Sequence, residues 1–248
     1  MRVAILSDIH GNLISLEAVL TDLERQKIDQ IVCLGDVATL GPQPKETVAR
    51  LRQLDATFIM GNHDTYLIDP AKAKQYVDAP WFLNKVNWCI EQLSDDDLDF
   101  VKQFLPYTKI SLPSKIEMLC YHGSPDSNTD ILLPMTPPTT VDTMLGGYRC
   151  HIMVGGHTHI QMMRQHKGTL LLNAGSVGMP FEQALFIHAP RLLPWAEYLI
   201  VNAEPQGVSA DLRRVKIDLD QVRQTAREST MPEKDIWAQN WMDPDGIS

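Results

Sequence analysis

The first sixty residues alternate between short apolar runs and segments with helical spacing of their apolar side chains. RVAILS, IVCLG and ATFIMG have the length and character of strands. Between them, LISLEAVLTDLERQ and KETVARLRQL carry apolar residues three and four positions apart, which predicts two helices. This order implies parallel strands with right-handed crossovers, and such sheets collect ligands at the carboxyl ends of their strands.

Residues 65–106 have a helical pattern interrupted by breakers. The segments YLIDPAKAKQYV, WFLNKVNWCIEQL and SDDDLDFVKQFL each predict a helix. Ser94 is the expected N-cap of the third helix, since the three aspartates after it favour the positive end of the helix dipole. We interpret residues 65–106 as a helical insertion that caps or borders a site.

From residue 107 onward the pattern is mainly that of strands. The predicted strands are YTKISL, KIEMLCYHG, CHIMVGG, TLLLNAG, ALFIHA, EYLIVNA and DLRRVKID. TPPTTVDTMLGGY predicts a short helix among them, and residues 218–248 predict a C-terminal helical tail. Trp237 and Trp241, four positions apart, are expected on one helix face, docked on the body of the protein. We therefore predict a single domain over residues 1–248.

Composition excludes some classes of protein. Lysine and arginine number 22 against 31 acidic residues, a net charge of −9, which disfavours binding to long nucleic acid or to an anionic membrane. The four cysteines are scattered without metal-binding spacing, which indicates a reducing compartment. The N-terminal apolar run is too short for a signal peptide, and no stretch is long enough to span a membrane. The prediction is a cytoplasmic protein.

Five polar clusters share one position, because each follows an apolar run or lies near the end of a predicted strand. They are SDIHGN (7–12), GDV (35–37), GNHD (61–64), YHGSP (121–125) and GGHTH (155–159). Together they supply three carboxylates, the amide of Asn62 and five of the eight histidines. Each cluster alone has an ordinary explanation as a helix cap, turn or loop. Parallel strands would nevertheless bring them to one edge of the sheet.

Crowded imidazoles and carboxylates without partners would be penalised by desolvation and repulsion. Divalent metal ions would satisfy them together. A set of aspartate, histidine and asparagine ligands without thiolate fits manganese, iron, nickel, cobalt or zinc, of which we favour manganese, and disfavours a structural zinc site. The number of donors predicts two ions.

The ordered motifs DIHGN, GDV, GNHD, HGSP and GHTH resemble those of the calcineurin-like metallophosphoesterase superfamily. The longer strings CLGDVATLGPQPKETV and NAGSVGMP are similar to its small bacterial and archaeal phosphodiesterase branch. The resemblance covers about residues 1–180. It implies an α/β fold, a four-layer α/β/β/α sandwich with a dinuclear metal site at one edge.

The resemblance also implies the role of each site residue. The first metal ion would be bound by Asp8, His10, Asp36 and His159. The second would be bound by Asp36, Asn62, His122 and His157, so that Asp36 bridges the two ions. Such a pair can share a hydroxide and orient it for attack at phosphorus.

Residues beside these ligands receive supporting roles. His63 matches the family histidine that protonates or stabilises the leaving oxygen, so it and Asp36 are the predicted catalytic residues. Asp64 is expected to brace the loop rather than to bind metal. Gly35, Gly61 and Gly123 are expected where the backbone approaches the metals closely.

The string GDVATLG (35–41) departs from the GDxVDRG of the superfamily's protein serine/threonine phosphatases. Thr39 and Leu40 replace the aspartate that orients the catalytic histidine and the arginine that clamps a phosphate. An arginine fork grips a dianionic monoester better than a monoanionic diester. The departure therefore favours a phosphodiesterase over a protein phosphatase.

The leading hypothesis is a metal-dependent phosphodiesterase that acts on a small soluble diester. The sequence is compatible with a homo-oligomer. Its alternatives are a phosphomonoesterase or dinucleotide polyphosphate hydrolase with the same site, and a non-catalytic scaffold. A nuclease is disfavoured by the net charge, whereas a small nucleotide diester stays open. Tyr66, Trp81 and Trp88 are candidates to stack on a base, although their helical spacing favours core positions.

Overall fold

The computed structural model describes residues 1–184 and 190–244 of the protein. The predicted strand ALFIHA falls almost wholly on residues 185–189, and it lies outside the described residues together with His188. The strands of the described part are β1 Arg2–Leu6, β2 Gln30–Cys33, β3 Ala56–Phe58, β4 Thr108–Leu112, β5 Ile116–Cys120, β6 Ile152–Gly155, β7 Met162–His166, β8 Thr169–Asn173, β9 Trp195–Glu204 and β10 Gly207–Lys216.

The α-helices of the same residues agree with the predicted positions, mostly with shorter bounds. They are α1 Leu13–Leu23, α2 Pro44–Leu51, α3 Asn62–Ile68, α4 Pro70–Tyr76, α5 Pro80–Gln92, α6 Asp95–Val101, α7 Pro138–Leu145, α8 Leu219–Glu228 and α9 Lys234–Gln239. None of the described helices is long and apolar enough to cross a membrane.

The strands form two five-stranded sheets. The first has the order β10-β9-β1-β2-β3, in which β1, β2 and β3 run parallel and β9 lies antiparallel to β1. The second has the order β4-β5-β6-β8-β7, with β5, β6 and β8 parallel. The predicted parallel pairing of the first three strands is confirmed, and it places the ends of β1, β2 and β3 at one edge.

The two sheets pack face to face, and alternate side chains of β1 explain the layers. Val3 and Ile5 point into a core between the sheets, where they join Met118 and Val154 of the second sheet. Ala4 and Leu6 of β1 join a second core formed with α1, α2, α5, α6 and α8. A third core lies between α7 and the outer face of β5, β6 and β8. The predicted α/β fold with four layers is confirmed.

The helical segment begins three residues before the predicted insertion, because α3 starts at Asn62. The predicted helix YLIDPAKAKQYV is divided at Asp69, since Pro70 has no N–H to continue α3 and instead begins α4. Ser94 is the N-cap of α6, as predicted: its hydroxyl accepts a hydrogen bond from the amide of Asp97, whose carboxylate accepts one from the Ser94 amide.

The tail contains α8 and α9, and residues 245–248 lie outside the described part. Trp237 and Trp241 are buried in the core beside α1, as expected, with ring centroids 5.5 Å apart. The prediction that the two tryptophans share a helix face is wrong. Helix α9 ends at Gln239, and Trp241 lies after it, in a β-bridge with Leu192.

Candidate metal centre

All five polar clusters meet where the parallel strands of the two sheets end. Backbone hydrogen bonds join the loops after β1 and β2: the amide of Asp8 donates to Gly35 O and that of His10 to Asp36 O, at 3.0 and 2.9 Å. The loop after β8 closes behind them, because the Ser176 hydroxyl donates to Asp8 O at 2.7 Å. The strand ends therefore position the site, as the sequence predicted.

Five of the seven predicted ligands have left-handed backbone conformations. The φ angles are positive at Asp8 (55°), His10 (49°), Asp36 (57°), His157 (66°) and His159 (57°). A residue with a Cβ occupies this region at a cost, and such strain concentrates at functional sites. All five side chains belong to two groups of potential metal ligands.

One group of donors contains Asp8, His10 and His159. Their ligand atoms lie within 4.8 Å of one another, and all three side chains are buried. The Nε2 atoms of His10 and His159 are 3.1 Å apart, and Asp8 Oδ1 lies 3.2 Å from the Nε2 of His159.

A second group contains Asp36, His122 and His157, again within 4.8 Å of one another. Asn62 belongs beside it, because its Oδ1 lies 3.0 Å from the Nε2 of His122. Asp36 stands between the groups, with Oδ2 3.3 Å from the Nε2 of His122 and 3.8 Å from that of His10. His157 and His159 thus fall in different groups.

Backbone carbonyls hold the outer nitrogens of three of these histidines. Nδ1 of His10 lies 3.1 Å from Thr39 O, that of His122 2.7 Å from Leu34 O, and that of His159 2.6 Å from Met179 O. A carbonyl accepts only, so each Nδ1 carries a proton, and Nε2 is the atom that faces inward and offers a lone pair when the ring is neutral. This is the tautomer that a metal ligand needs.

The donor atoms fit divalent ions of the kind that the sequence implies. Two nitrogen ligands of one ion, each about 2.1 Å from it, lie about 3.0–3.4 Å apart, and the two Nε2 atoms of His10 and His159 match that spacing. Without a cation their lone pairs would face each other. Asp8 Oδ1 is buried and has no hydrogen-bond partner, which leaves it free to act as a ligand.

The electrostatics of the site also favour a bound cation. Burial opposes ionisation of Asp8 and Asp36, yet the neighbouring histidines hold the pKa of both carboxyls below the usual range. Burial lowers the pKa of His122, but Asp36 and Asp8 outweigh it and raise that pKa to about 10. The field between the carboxylates therefore favours positive charge, which a metal ion would supply.

His63 lies beside the two groups, and its ring makes a contact with Thr39 that the sequence did not predict. The hydroxyl of Thr39 is 2.7 Å from the Nδ1 of His63, and the His63 amide donates to Asp36 Oδ1 at 2.8 Å. Burial lowers the pKa of His63 to about 3, so its ring is neutral. Thr39 thus stands where the protein phosphatases have an orienting aspartate, and its hydroxyl makes the contact to the histidine.

Asp64 lies beneath the ligands. Its Oδ2 accepts hydrogen bonds from the amides of Asp36 and Gly61, at 2.7 and 2.9 Å, and its Oδ1 accepts one from Val37 at 2.9 Å. Burial and the charge of Asp36 raise its pKa to about 7 in spite of these donors. The contacts connect the loop after β2 to the start of α3.

The three singled-out glycines differ in their surroundings. Gly35 has a φ of 101°, and a Cβ at Gly61 would overlap the carboxylate of Asp36, so these two glycines allow the ligand loops to touch. A Cβ at Gly123 would instead meet the backbone of Ser127 and Asp130, at 2.8 and 2.9 Å. Gly123 therefore lets the following loop fold closely.

The two-sheet sandwich and its edge of clustered histidines and carboxylates define an α/β protein with candidate metal-binding groups. The family model described as calcineurin-like phosphoesterase superfamily domain matches residues 1–189, and the chain belongs to this superfamily. It is 25% identical over 242 residues to the uncharacterized protein MJ0912 of Methanocaldococcus jannaschii, covering 93% of this chain and 94% of that protein.

Solved structures share the fold. A metallophosphoesterase from Sphaerobacter thermophilus matches with a TM-score of 0.73 and 24% identity, covering 96% of this chain and 97% of its own. The hypothetical protein PH1004 from Pyrococcus horikoshii OT3 matches with a TM-score of 0.76 and 19% identity, over 95% and 96%. The resemblance stated from the motifs is confirmed at the level of the superfamily.

Proposed function

We propose that the protein is a metal-dependent phosphodiesterase that hydrolyses a small phosphodiester. The observation that carries the proposal is the pair of donor groups, Asp8–His10–His159 and Asp36–His122–His157, joined through Asp36. Membership of a superfamily of phosphoesterases supports the reaction class.

Asp8, His10, Asp36 and His159 would hold one divalent ion, and Asp36, Asn62, His122 and His157 would hold the other. When bound, such ions neutralise the charge of a phosphate and lower the pKa of water, which makes a nucleophile available at neutral pH. Manganese is the ion that we favour, because the donors are imidazole nitrogens and carboxylate or amide oxygens without thiolate.

His63 would act on the leaving group. Its neutral ring carries one proton, and a hydrogen bond from the Thr39 hydroxyl to Nδ1 would leave that proton on Nε2. Nε2–H would then donate to the leaving oxygen as negative charge develops there. The amide of His63 donates to Asp36, which keeps the ring beside the bridging carboxylate.

The preference for a diester is supported by the side chains that surround the carboxylates. Within residues 1–184 and 190–244, the ion pairs of Asp8 and Asp36 involve histidines and no arginine or lysine. The arginine position of the protein phosphatases is Leu40. A monoanionic diester needs less positive charge than a dianionic monoester, so this site suits the diester better.

The experiment compares two chromogenic substrates with the same leaving group. Protein loaded with manganese or nickel is expected to hydrolyse bis-p-nitrophenyl phosphate well and p-nitrophenyl phosphate poorly, whereas the Asp36→Asn variant should lose nearly all turnover. The opposite preference would favour a phosphomonoesterase. Absence of bound transition metal after loading would instead favour a scaffold without catalysis.

Two further parts of the proposal concern the setting of the enzyme. The four cysteines are buried thiols without disulfides, which supports a reducing compartment such as the cytoplasm. The substrate is proposed to be a small molecule rather than long nucleic acid, because the chain carries a net charge of −9.

A further inference from the structure

Two cavities open side by side next to the metal centre. The first, of about 380 Å³, is lined by His122 and by the loop from Ser124 to Asn128. The second, of about 350 Å³, is lined by α3, α4 and the same loop. Asn128 lines both cavities, the first cavity includes the candidate ligand His122, and each has the size of a small-molecule site.

Two tyrosines form a wall of the second cavity. Tyr66 is buried, and its hydroxyl accepts a hydrogen bond from the amide of Asn62 at 3.2 Å. Tyr76 is 42% exposed, and its ring centroid lies 5.8 Å from that of Tyr66 with a tilt of 36°. The aromatic wall therefore contacts the candidate ligand Asn62 directly, through the Tyr66 hydroxyl.

Polar groups complete the second cavity. Lys72 and Gln75 belong to the same helix as Tyr76 and line it from one side. Asn128 faces them, and its amide nitrogen donates to the Thr65 hydroxyl at 3.0 Å, which leaves its oxygen available. Within the described residues, the ammonium group of Lys72 takes part in no ion pair. The cavity thus combines an aromatic wall, amide groups and one unpaired cation.

We infer that this second cavity binds a nucleobase, so that the substrate is a small nucleotide diester. The inference rests on the proposed function and adds the class of substrate. A nucleobase presents a flat face that can stack on the exposed ring of Tyr76, and an edge of donors and acceptors for Gln75 and Asn128. Lys72 is placed to meet a further phosphate of the same nucleotide.

The kinetic experiment compares two diesters that release the same p-nitrophenolate. One is p-nitrophenyl thymidine 5′-phosphate and the other is methyl p-nitrophenyl phosphate, which lacks a base. The Tyr76→Ala variant is expected to lose about tenfold in kcat/KM on the thymidine ester, through KM, and to keep its activity on the methyl ester. Tyr76→Phe should keep both activities. Trp81→Ala, which removes an aromatic side chain that is 50% exposed and outside both cavities, is the matched control.

A binding experiment separates this inference from the proposed reaction. Calorimetry should show thymidine 5′-monophosphate binding at least about tenfold more tightly than 2-deoxyribose 5-phosphate, a difference that Tyr76→Ala removes. Equal affinities, or an equal loss of both activities in Tyr76→Ala, would overturn the nucleobase site. Failure to hydrolyse either diester would overturn the proposed reaction and leave the binding result to decide the inference.

Discussion

The hydroxyl of Thr39 lies 2.7 Å from the Nδ1 of His63, with both side chains buried. An aspartate at this position would require a proton on Nδ1, because a carboxylate only accepts. A hydroxyl can donate instead, and then the proton of the neutral ring stays on Nε2. With Thr39 as the donor, His63 would have the tautomer that the proposed hydrogen bond to the leaving oxygen requires.

Thr39→Val should lower kcat by about tenfold on diesters with alkyl leaving groups, which need a hydrogen bond in the transition state, and leave KM unchanged. The same variant should hydrolyse bis-p-nitrophenyl phosphate almost normally, since p-nitrophenolate leaves without help. Thr39→Ser keeps the hydroxyl and is expected to restore the alkyl reaction. Equal losses on both substrates would show that Thr39 acts only on the structure of the loop.

Asp64→Asn should weaken both the fold and the affinity for metal ions. The new amide would replace an acceptor of backbone hydrogen bonds by a donor, beneath Asp36 and Gly61. We expect a loss of about 2–3 kcal/mol in the free energy of unfolding and a 10–100-fold loss in manganese affinity. Urea unfolding and calorimetric titration measure the two effects. Asp69→Asn, at the end of the same helix, is the control, and unchanged manganese affinity in Asp64→Asn would contradict the bracing role.

Removal of metal ions should lower the thermal midpoint. Asp8 and Asp36 are buried together, and a bound ion stabilises the folded state by about 2.7 kcal/mol at a hundred times its dissociation constant. For a chain of this length the shift is about 5–10 °C, measured by scanning calorimetry with manganese and with a chelator. Asp36→Asn should abolish most of the shift, whereas the exposed-site variant Asp99→Asn should retain it. A thermal midpoint that is the same with manganese and with the chelator would refute the metal centre.

The sequence was sufficient to predict which strands would bring the polar clusters together, because a donor that follows a parallel strand lies at a known edge. It could not predict the contact of Thr39 with His63, which depends on the left-handed turn at Asp36 and on the packing of α3. Tyr76 was not among the aromatic residues that the sequence singled out, since helical spacing does not show which ring lines a cavity.

The strand β7 was missed for a related reason. Its sequence MMRQH has no β-branched residue, and it forms the edge of the second sheet, where only its antiparallel partner β8 determines its conformation. The local pattern therefore did not reveal this edge strand, because its conformation comes from backbone pairing with β8 on one side rather than from the β propensity of its own residues.

Glu197 should make the stability of the protein depend on pH. Its side chain is 2% exposed and accepts a hydrogen bond from Trp195 Nε1 at 3.0 Å, and burial raises its pKa to about 7 from 4.5. Between pH 4.5 and 7 the folded state binds a proton that the unfolded state releases, so the stability from this group is complete below pH 4.5 and is lost as the pH rises through 7.

Glu197→Gln keeps the acceptor for Trp195 and removes the titration. Relative to the wild type it should gain up to about 3 kcal/mol in the free energy of unfolding between pH 4.5 and 8, measured with urea at saturating metal. Glu204→Gln, on the exposed end of the same strand, is the control, and a Glu197→Gln difference that stays constant across this range would contradict the raised pKa.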